Sequence, residues 1–201
     1  MNNIEYVKNE LKIVNWAKCS NIHLINIIKK LLKNSKSILE EQKITNKHFA
    51  YLNMRMMLWT KCFINPKQSK EYKLFNFPSD NIRNIFVSVF NSSLHFLIWE
   101  AISDCWHITN QELQFFKIDL NSEKLFPLVS MANQLENDLE NKKRFVGSVQ
   151  TEYEYLHKKS KPIIDEIDKV LAKHYGFTEE ELDYIINYDI KYRMGNELDE
   201  N

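Results

Sequence analysis

Two successive helices near the carboxy end are specified by almost every local signal a sequence can carry. Pro162 suits a first helical turn, where its missing amide costs nothing, and Ile163, Ile164, Ile167, Val170 and Leu171 recur on one face. Gly176 marks the stop, since a glycine is the usual residue just past a helix end. Thr178 and Glu181 then stand at capping-box spacing, with Phe177 and Leu182 spaced as a hydrophobic staple. The pattern predicts a second helix to about Met194, with Lys191 and Arg193 in its last turn and Gly195 as its stop. Such a hairpin needs an apolar surface to pack on.

Upstream, the periodicity predicts a helix over about 21–33 through Leu24, Ile25, Ile28, Leu31 and Leu32. The aromatic stretch from Phe49 to Phe77, broken by Pro66, reads as short strands and loops, and Trp59 to Ile64 is the best strand. Asp80 is placed to cap one long helix to about Ala101, with Ile82, Ile85, Phe86, Val89, Ser93 and Phe96 on its stripe. Another helix should follow Pro127, using Leu128, Ala132, Leu135 and Leu139 and ending near Lys142-Lys143-Arg144. Gly147 opens a looser, extended stretch to Lys159. With 3 Gly and 4 Pro in 201 residues, a turn-rich β architecture is disfavoured. The expected class is α+β, predominantly helical, with a recognition region over 1–150 and a linker plus helical hairpin over 151–201.

A formal net charge of zero hides an asymmetry. Residues 1–80 carry 14 Lys/Arg against 6 Asp/Glu, and residues 176–201 carry 2 against 8. A basic front half suits phosphate, and an acidic tail avoids it, though chance produces such halves too. Cys19, Cys62 and Cys105 form no Cys-x-x-Cys pair, which fits a reducing cytosol better than a disulfide frame or a zinc knuckle. No basic segment followed by an apolar run opens the chain, so a cytoplasmic location is expected. The apolar stretch Ile82–Ile102 contains Arg83, Asn91, His95 and Glu100 and reads as a buried helix, with no membrane span. Abundant Asn, Lys and Ile fit an AT-rich bacterial coding sequence.

Two segments carry a resemblance. The runs Ser160-Lys161-Pro162-Ile163-Ile164-Asp165-Glu166-Ile167-Asp168, His174 to Thr178 and Glu180 to Gly195 resemble the carboxy-terminal signature of large type IIG-like restriction–modification enzymes. Phe90-Asn91-Ser92-Ser93-Leu94-His95-Phe96, followed by Ser103-Asp104-Cys105-Trp106-His107-Ile108-Thr109, is similar to a segment of TaqI-like specificity domains. The resemblance implies a target-recognition region that follows a catalytic domain, the latter binding S-adenosylmethionine and methylating adenine. The chain departs from the full enzyme. It has no Asn-Pro-Pro-Tyr motif, only Asn65-Pro66-Lys67, and no glycine-rich cofactor loop. The expectation is a recognition portion without its catalytic domain, holding no cofactor itself, whether as a split subunit, a truncated gene or an excised piece.

Base methylation needs a flipped base, a pocket and a methyl donor, whereas recognition needs only phosphate contacts and a few groups at base edges. The candidates for phosphate are Lys61, Lys67, Lys70 and Lys73 around Pro66, and Lys142, Lys143 and Arg144; a solvated basic face is the alternative. Asn91 and Ser92 interrupt an apolar helix and offer an amide and a hydroxyl to DNA, or small residues for close packing. Ser103, Asp104 and His107 sit at that helix's end, where they either read bases or recap the backbone. Cys105-Trp106-His107 supplies too few ligands for a metal. Asp165, Glu166, Asp168 and Lys169 superficially follow a nuclease pattern, but helical spacing makes them a solvated face. The expected function is sequence-specific recognition of double-stranded DNA for an adenine-specific methyltransferase or restriction–modification enzyme. The alternative is an interaction module that docks on a partner methyltransferase subunit with little DNA binding of its own.

Overall fold

The computed structural model describes residues 21–34, 36–42, 47–148 and 152–195. Helix α1 (Ile22–Leu31) opens at Asn21, whose side chain accepts from the His23 amide at 2.8 Å, and buries Leu24, Ile25, Ile27, Ile28 and Leu31. Three antiparallel strands follow, β1 (His48–Asn53), β2 (Cys62–Phe63) and β3 (Tyr72–Phe77), in the order β2-β1-β3. Register pairs Ala50 with Phe75 and Leu52 with Lys73, so alternate residues of the central strand point into the core. The strand expected over Trp59–Ile64 shrinks to Cys62–Phe63.

Helices α2 (Asp80–Asn91) and α3 (Ser93–Ile102) replace the single long helix, bent by 63° at the break. The cap of α2 is Ser79, whose Oγ accepts from Ile82 at 3.3 Å; Asp80 instead pairs with Arg83 and His48. The break has three chemical causes. Asn91 spends its amide on Cys62, with Oδ1 accepting from its N–H at 3.2 Å and Nδ2 donating to its carbonyl at 2.7 Å. Ser92 starts the new helix by accepting from the His95 amide at 3.1 Å. Asp168 takes the freed amides of Ser93 and Leu94, both at 3.0 Å.

After α4 (Asn110–Phe115), α5 (Phe126–Lys142) carries Pro127 in its first turn and buries Leu128, Ala132, Leu135 and Leu139, as its spacing predicts. Of the stretch expected to be extended from Gly147 to Lys159, residues 149–151 lie outside the described residues, Tyr153–Glu154 forms β5 of a small hairpin with β4 (Arg144–Phe145), and His157–Ser160 is instead a 3-10 helix. Helix α6 (Lys161–Tyr175) ends at Gly176, φ +70°, and the capping box of Thr178 and Glu181 starts α7 (Glu179–Asn187). The helix expected to reach Met194 breaks at Asp189, φ 50°, and resumes as α8 (Ile190–Met194). The break turns Arg193 inward. It is 2% exposed, its guanidinium lies 4.0 Å from the Trp59 ring centroid and 4.7 Å from that of Phe96, and its Nε donates to the Leu58 carbonyl.

Asp168 corrects the solvated-face reading of α6. Asp165 and Glu166 do pair outward with Lys161 and Lys169, but Asp168 is buried and fastens α6 to the start of α3. The core is built around Phe75, Phe77, Phe86, Phe90 and Phe116, with ring centroids 4.4–5.4 Å apart in successive contacts. Residues of α1, the sheet and the carboxy-terminal helices all join it, from Leu24 to Ile185. The fold is α+β with helix predominating. Among the described residues no single helix is long and apolar enough to cross a membrane.

Candidate nucleic-acid interface

The open end of the sheet gathers three chain segments through backbone pairing. The Asn53 amide donates to the Lys61 carbonyl at 2.9 Å, and the Met54 amide to the Glu71 carbonyl at 2.9 Å. A fourth segment, the loop after α3, joins by Ile108 N–H to the Met54 carbonyl at 2.8 Å and by a bridge between Arg55 and His107. These links bring Lys73, Ser103, Asp104 and His107 together, with Lys70 exposed on the loop before β3, whereas Lys61 stands with Asn53 and Tyr72 on the opposite face of the sheet. Arg55, Trp106 and Asn110 complete the group.

Its cations are not held by carboxylates. Arg55, Lys61, Lys70 and Lys73 form no ion pair with a carboxylate of the described residues. Lys73 Nζ donates to Asn110 Oδ1 at 2.9 Å, and the Arg55 guanidinium lies 5.4 Å from the Trp106 ring centroid. Burial lowers the pKa of Lys61, partly offset by Glu154. Two acids share the region. Glu71 is exposed, and Asp104 has its charge engaged by the amides of Trp106 and His107, which hold its pKa below the usual carboxylate range.

The other predicted cations are committed elsewhere. Lys67, with its side chain only 9% exposed, reaches Glu136 at 2.9 Å and Glu140 at 2.7 Å. Lys143 pairs with Glu140, Lys142 with Asp138 and Arg144 with Glu154. Burial works against the charge on Glu140, but hydrogen bonds from Lys143 and Lys67 outweigh it and bring its pKa down to about 2. Lys61, Lys67 and Lys143 do line one cleft of about 320 Å³ with Asn53, Tyr72 and Tyr155, yet its charge is largely balanced internally. These are structural ion pairs first.

Asn91 and Ser92 are corrected outright. They are 3% and 1% exposed, with side chains used to end one helix and begin the next, so neither reaches DNA. Ser103 and Asp104 play the recapping role within the loop, where Ser103 Oγ accepts from the Cys105 amide at 3.0 Å and Asp104 Oδ1 from Trp106 at 2.9 Å. His107 remains exposed. Arg55, Trp106 and Asn110 escape a sequence reading because only the pairing of β1 with the loop after α3 makes them neighbours.

A second groove, about 290 Å³, shares Lys61 and Tyr155 with the first cleft and is lined by Met57, Leu58, Trp59, Leu156, Tyr192 and Met194 among others. Met57, Leu58 and Tyr192 are 66%, 42% and 70% exposed.

The three glycines of the chain sit in the β4–β5 hairpin, at the end of α6 and at the end of α8, and none makes a strand–loop–helix phosphate or cofactor turn. No group of His, Cys, Asp and Glu suited to a metal occurs among the described residues. Comparison with protein-family models, with characterised proteins and with solved structures finds no match.

Proposed function

We propose that the chain recognises double-stranded DNA for an adenine-specific methyltransferase, or a methyltransferase–nuclease, whose catalytic domain would hold S-adenosylmethionine. The observation that carries the reading is the end of the sheet, where Arg55 and Lys73 stand without carboxylate partners beside Trp106, His107 and Asn110, with Lys70 exposed on the loop before β3. Cations free of carboxylate partners are available to phosphate, and imidazole and amide groups beside them suit base edges. The resemblance of Phe90–Thr109 and of Ser160–Gly195 supplies the biological setting.

Fluorescence anisotropy of a labelled 30-base-pair duplex of mixed sequence tests it, read between 50 and 200 mM salt. Affinity should fall steeply with salt, and Arg55→Ala, Lys70→Ala and Lys73→Ala should each flatten the log–log slope by about 1. Salt-independent binding, or none, removes the proposal.

One observation favours a second reading, docking on a methyltransferase subunit: the exposed Met57, Leu58 and Tyr192 around the neighbouring groove. Lys61 on that groove suits an acidic, apolar segment of the partner. Binding to the subunit that survives high salt, with no duplex binding, would select it.

A further inference from the structure

Trp106 is 57% exposed, yet its loop is built to hold it still. Cys105 before it adopts φ 61°, a region that a residue with a Cβ enters only under constraint. The constraint is visible. Asp104 Oδ1 accepts from the amides of Trp106 at 2.9 Å and His107 at 3.3 Å, and Trp99 Nε1 donates to the His107 carbonyl at 3.0 Å. Beyond them Thr109 and Glu112 form a capping box that starts α4. The loop is thus pinned to α3, β1 and α4, and its product is a large indole presented to solvent.

Exposing an indole forgoes the burial that a ring of this size normally supplies to a core or interface. The charge around it selects the kind of ligand. Arg55 lies over the ring and Lys73 reaches Asn110 four positions along, so an aromatic surface is set among cations that lack carboxylate partners. That combination complements a polyanion carrying flat apolar faces. Phe126 and Phe145, more exposed at 61% and 65%, have no comparable holder. Phe145 packs edge-on against Tyr153 in its hairpin, and Phe126 opens a helix.

We infer that Trp106 is a base-stacking residue, its indole taking the face of a nucleobase that has left the helical stack. The inference rests on the DNA-binding reading above and adds a term that charge does not provide. Stacking on an aromatic side chain tolerates any base, so Trp106 would sense that a base is unstacked, and neighbours such as His107 and Asn110 would sense which base it is. The base can come from a locally opened duplex or from a single strand.

The test compares wild type, Trp106→Ala and Trp106→Phe on three labelled probes of one sequence: intact duplex, duplex with one unpaired base, and single strand. Wild type should bind the unpaired-base duplex more tightly than the intact one. Trp106→Ala should lose about tenfold on it with an unchanged salt slope, and Trp106→Phe should recover most of the loss. The same tenfold loss on the single strand assigns the base to that source, and a loss confined to the unpaired-base duplex assigns it to opened duplex. A second readout is tryptophan emission, whose quenching by the unpaired-base probe should disappear in Trp106→Phe. If Trp106→Ala binds every probe as wild type does, with the salt slope intact, stacking is overturned while DNA binding stands. If wild type binds none of the probes, both fall.

Discussion

Asp168 on α6 accepts a hydrogen bond at 3.0 Å from the backbone amide of Leu94, in the first turn of α3. Its second oxygen takes the Ser93 amide at the same distance, so one buried carboxylate satisfies two helix-start donors. The attachment joins elements 74 positions apart. Asp168→Ala should cost about 3 kcal/mol or more, because two buried donors lose their acceptor. Asp168→Asn, which keeps one acceptor, should cost less. Urea denaturation at pH 7 checks the order, and equal stability of Ala variant and parent would remove the attachment.

The pH dependence of stability between 7 and 4.5 should be set by buried histidines. Burial pushes His95 down to about 3 and His157 to about 4, the latter despite a partly offsetting hydrogen bond to the Tyr155 carbonyl. Below pH about 6.5 the unfolded chain gains these protons and the folded chain does not, so acid lowers stability. Asp168 works in the opposite direction, since burial raises it to about 6 and the folded state binds its proton first. Two histidines outweigh one carboxylate. The melting temperature should fall from pH 7 to pH 4.5, and fall more steeply in Asp168→Asn. A flat profile, or parallel profiles, contradicts the assignment.

Most of the helix positions were legible because their signals are local. Pro162, Gly176, Thr178 and Glu181 each fix backbone within one turn, and the stripe of α5 lies within one helix. What was not legible depends on partners far along the chain. The apolar stripe of Ile82–Phe96 runs on through Ser92, and only Cys62 and Asp168, one from a strand and one from a later helix, determine that the helix bends there. The same holds for the candidate interface. Lys67 and Lys70 look alike in sequence, and the position of Glu136 on α5 decides that the first is an internal ion pair and the second is free.

That difference is itself testable. Glu136 accepts from the Asn65 amide at 3.0 Å and from the Ile64 amide as well as from Lys67, so removing the lysine charge leaves a buried carboxylate that keeps hydrogen bonds but has lost its counter-ion. Lys67→Met should destabilise by about 3 kcal/mol or more. Lys70→Glu should leave the melting temperature within a degree or two and weaken duplex binding. Thermal melts and anisotropy on the two variants separate the roles. A stable Lys67→Met with weakened DNA binding would reverse them.

The turn between α6 and α7 should hold the carboxy-terminal helices in place through backbone geometry and one cap. At Gly176 a Cβ would meet nothing within 4 Å, so any cost of substitution comes from φ +70° alone. Gly176→Ala should therefore cost about 1 kcal/mol, with Gly176→Asn milder and Gly176→Val worse, since asparagine tolerates the left-handed region and β-branched residues do not. Thr178 accepts from the Glu181 amide at 3.2 Å, and Thr178→Ala should cost about 1 kcal/mol. Glu181 does more than its cap partner. It returns a bond to the Thr178 amide at 2.8 Å and also takes Lys30 of α1 at 2.6 Å, with its own side chain 4% exposed. Glu181→Ala should thus exceed Thr178→Ala, because it frees a half-buried lysine as well as a helix-start donor. Duplex binding should be the same in all of these variants, since the turn lies apart from Arg55, Lys70 and Lys73 in the network of contacts. Denaturation and anisotropy on one set of proteins decide the matter. A fully stable Gly176→Val, or a Glu181→Ala milder than Thr178→Ala, would show that the turn is not what fixes α7 against α1.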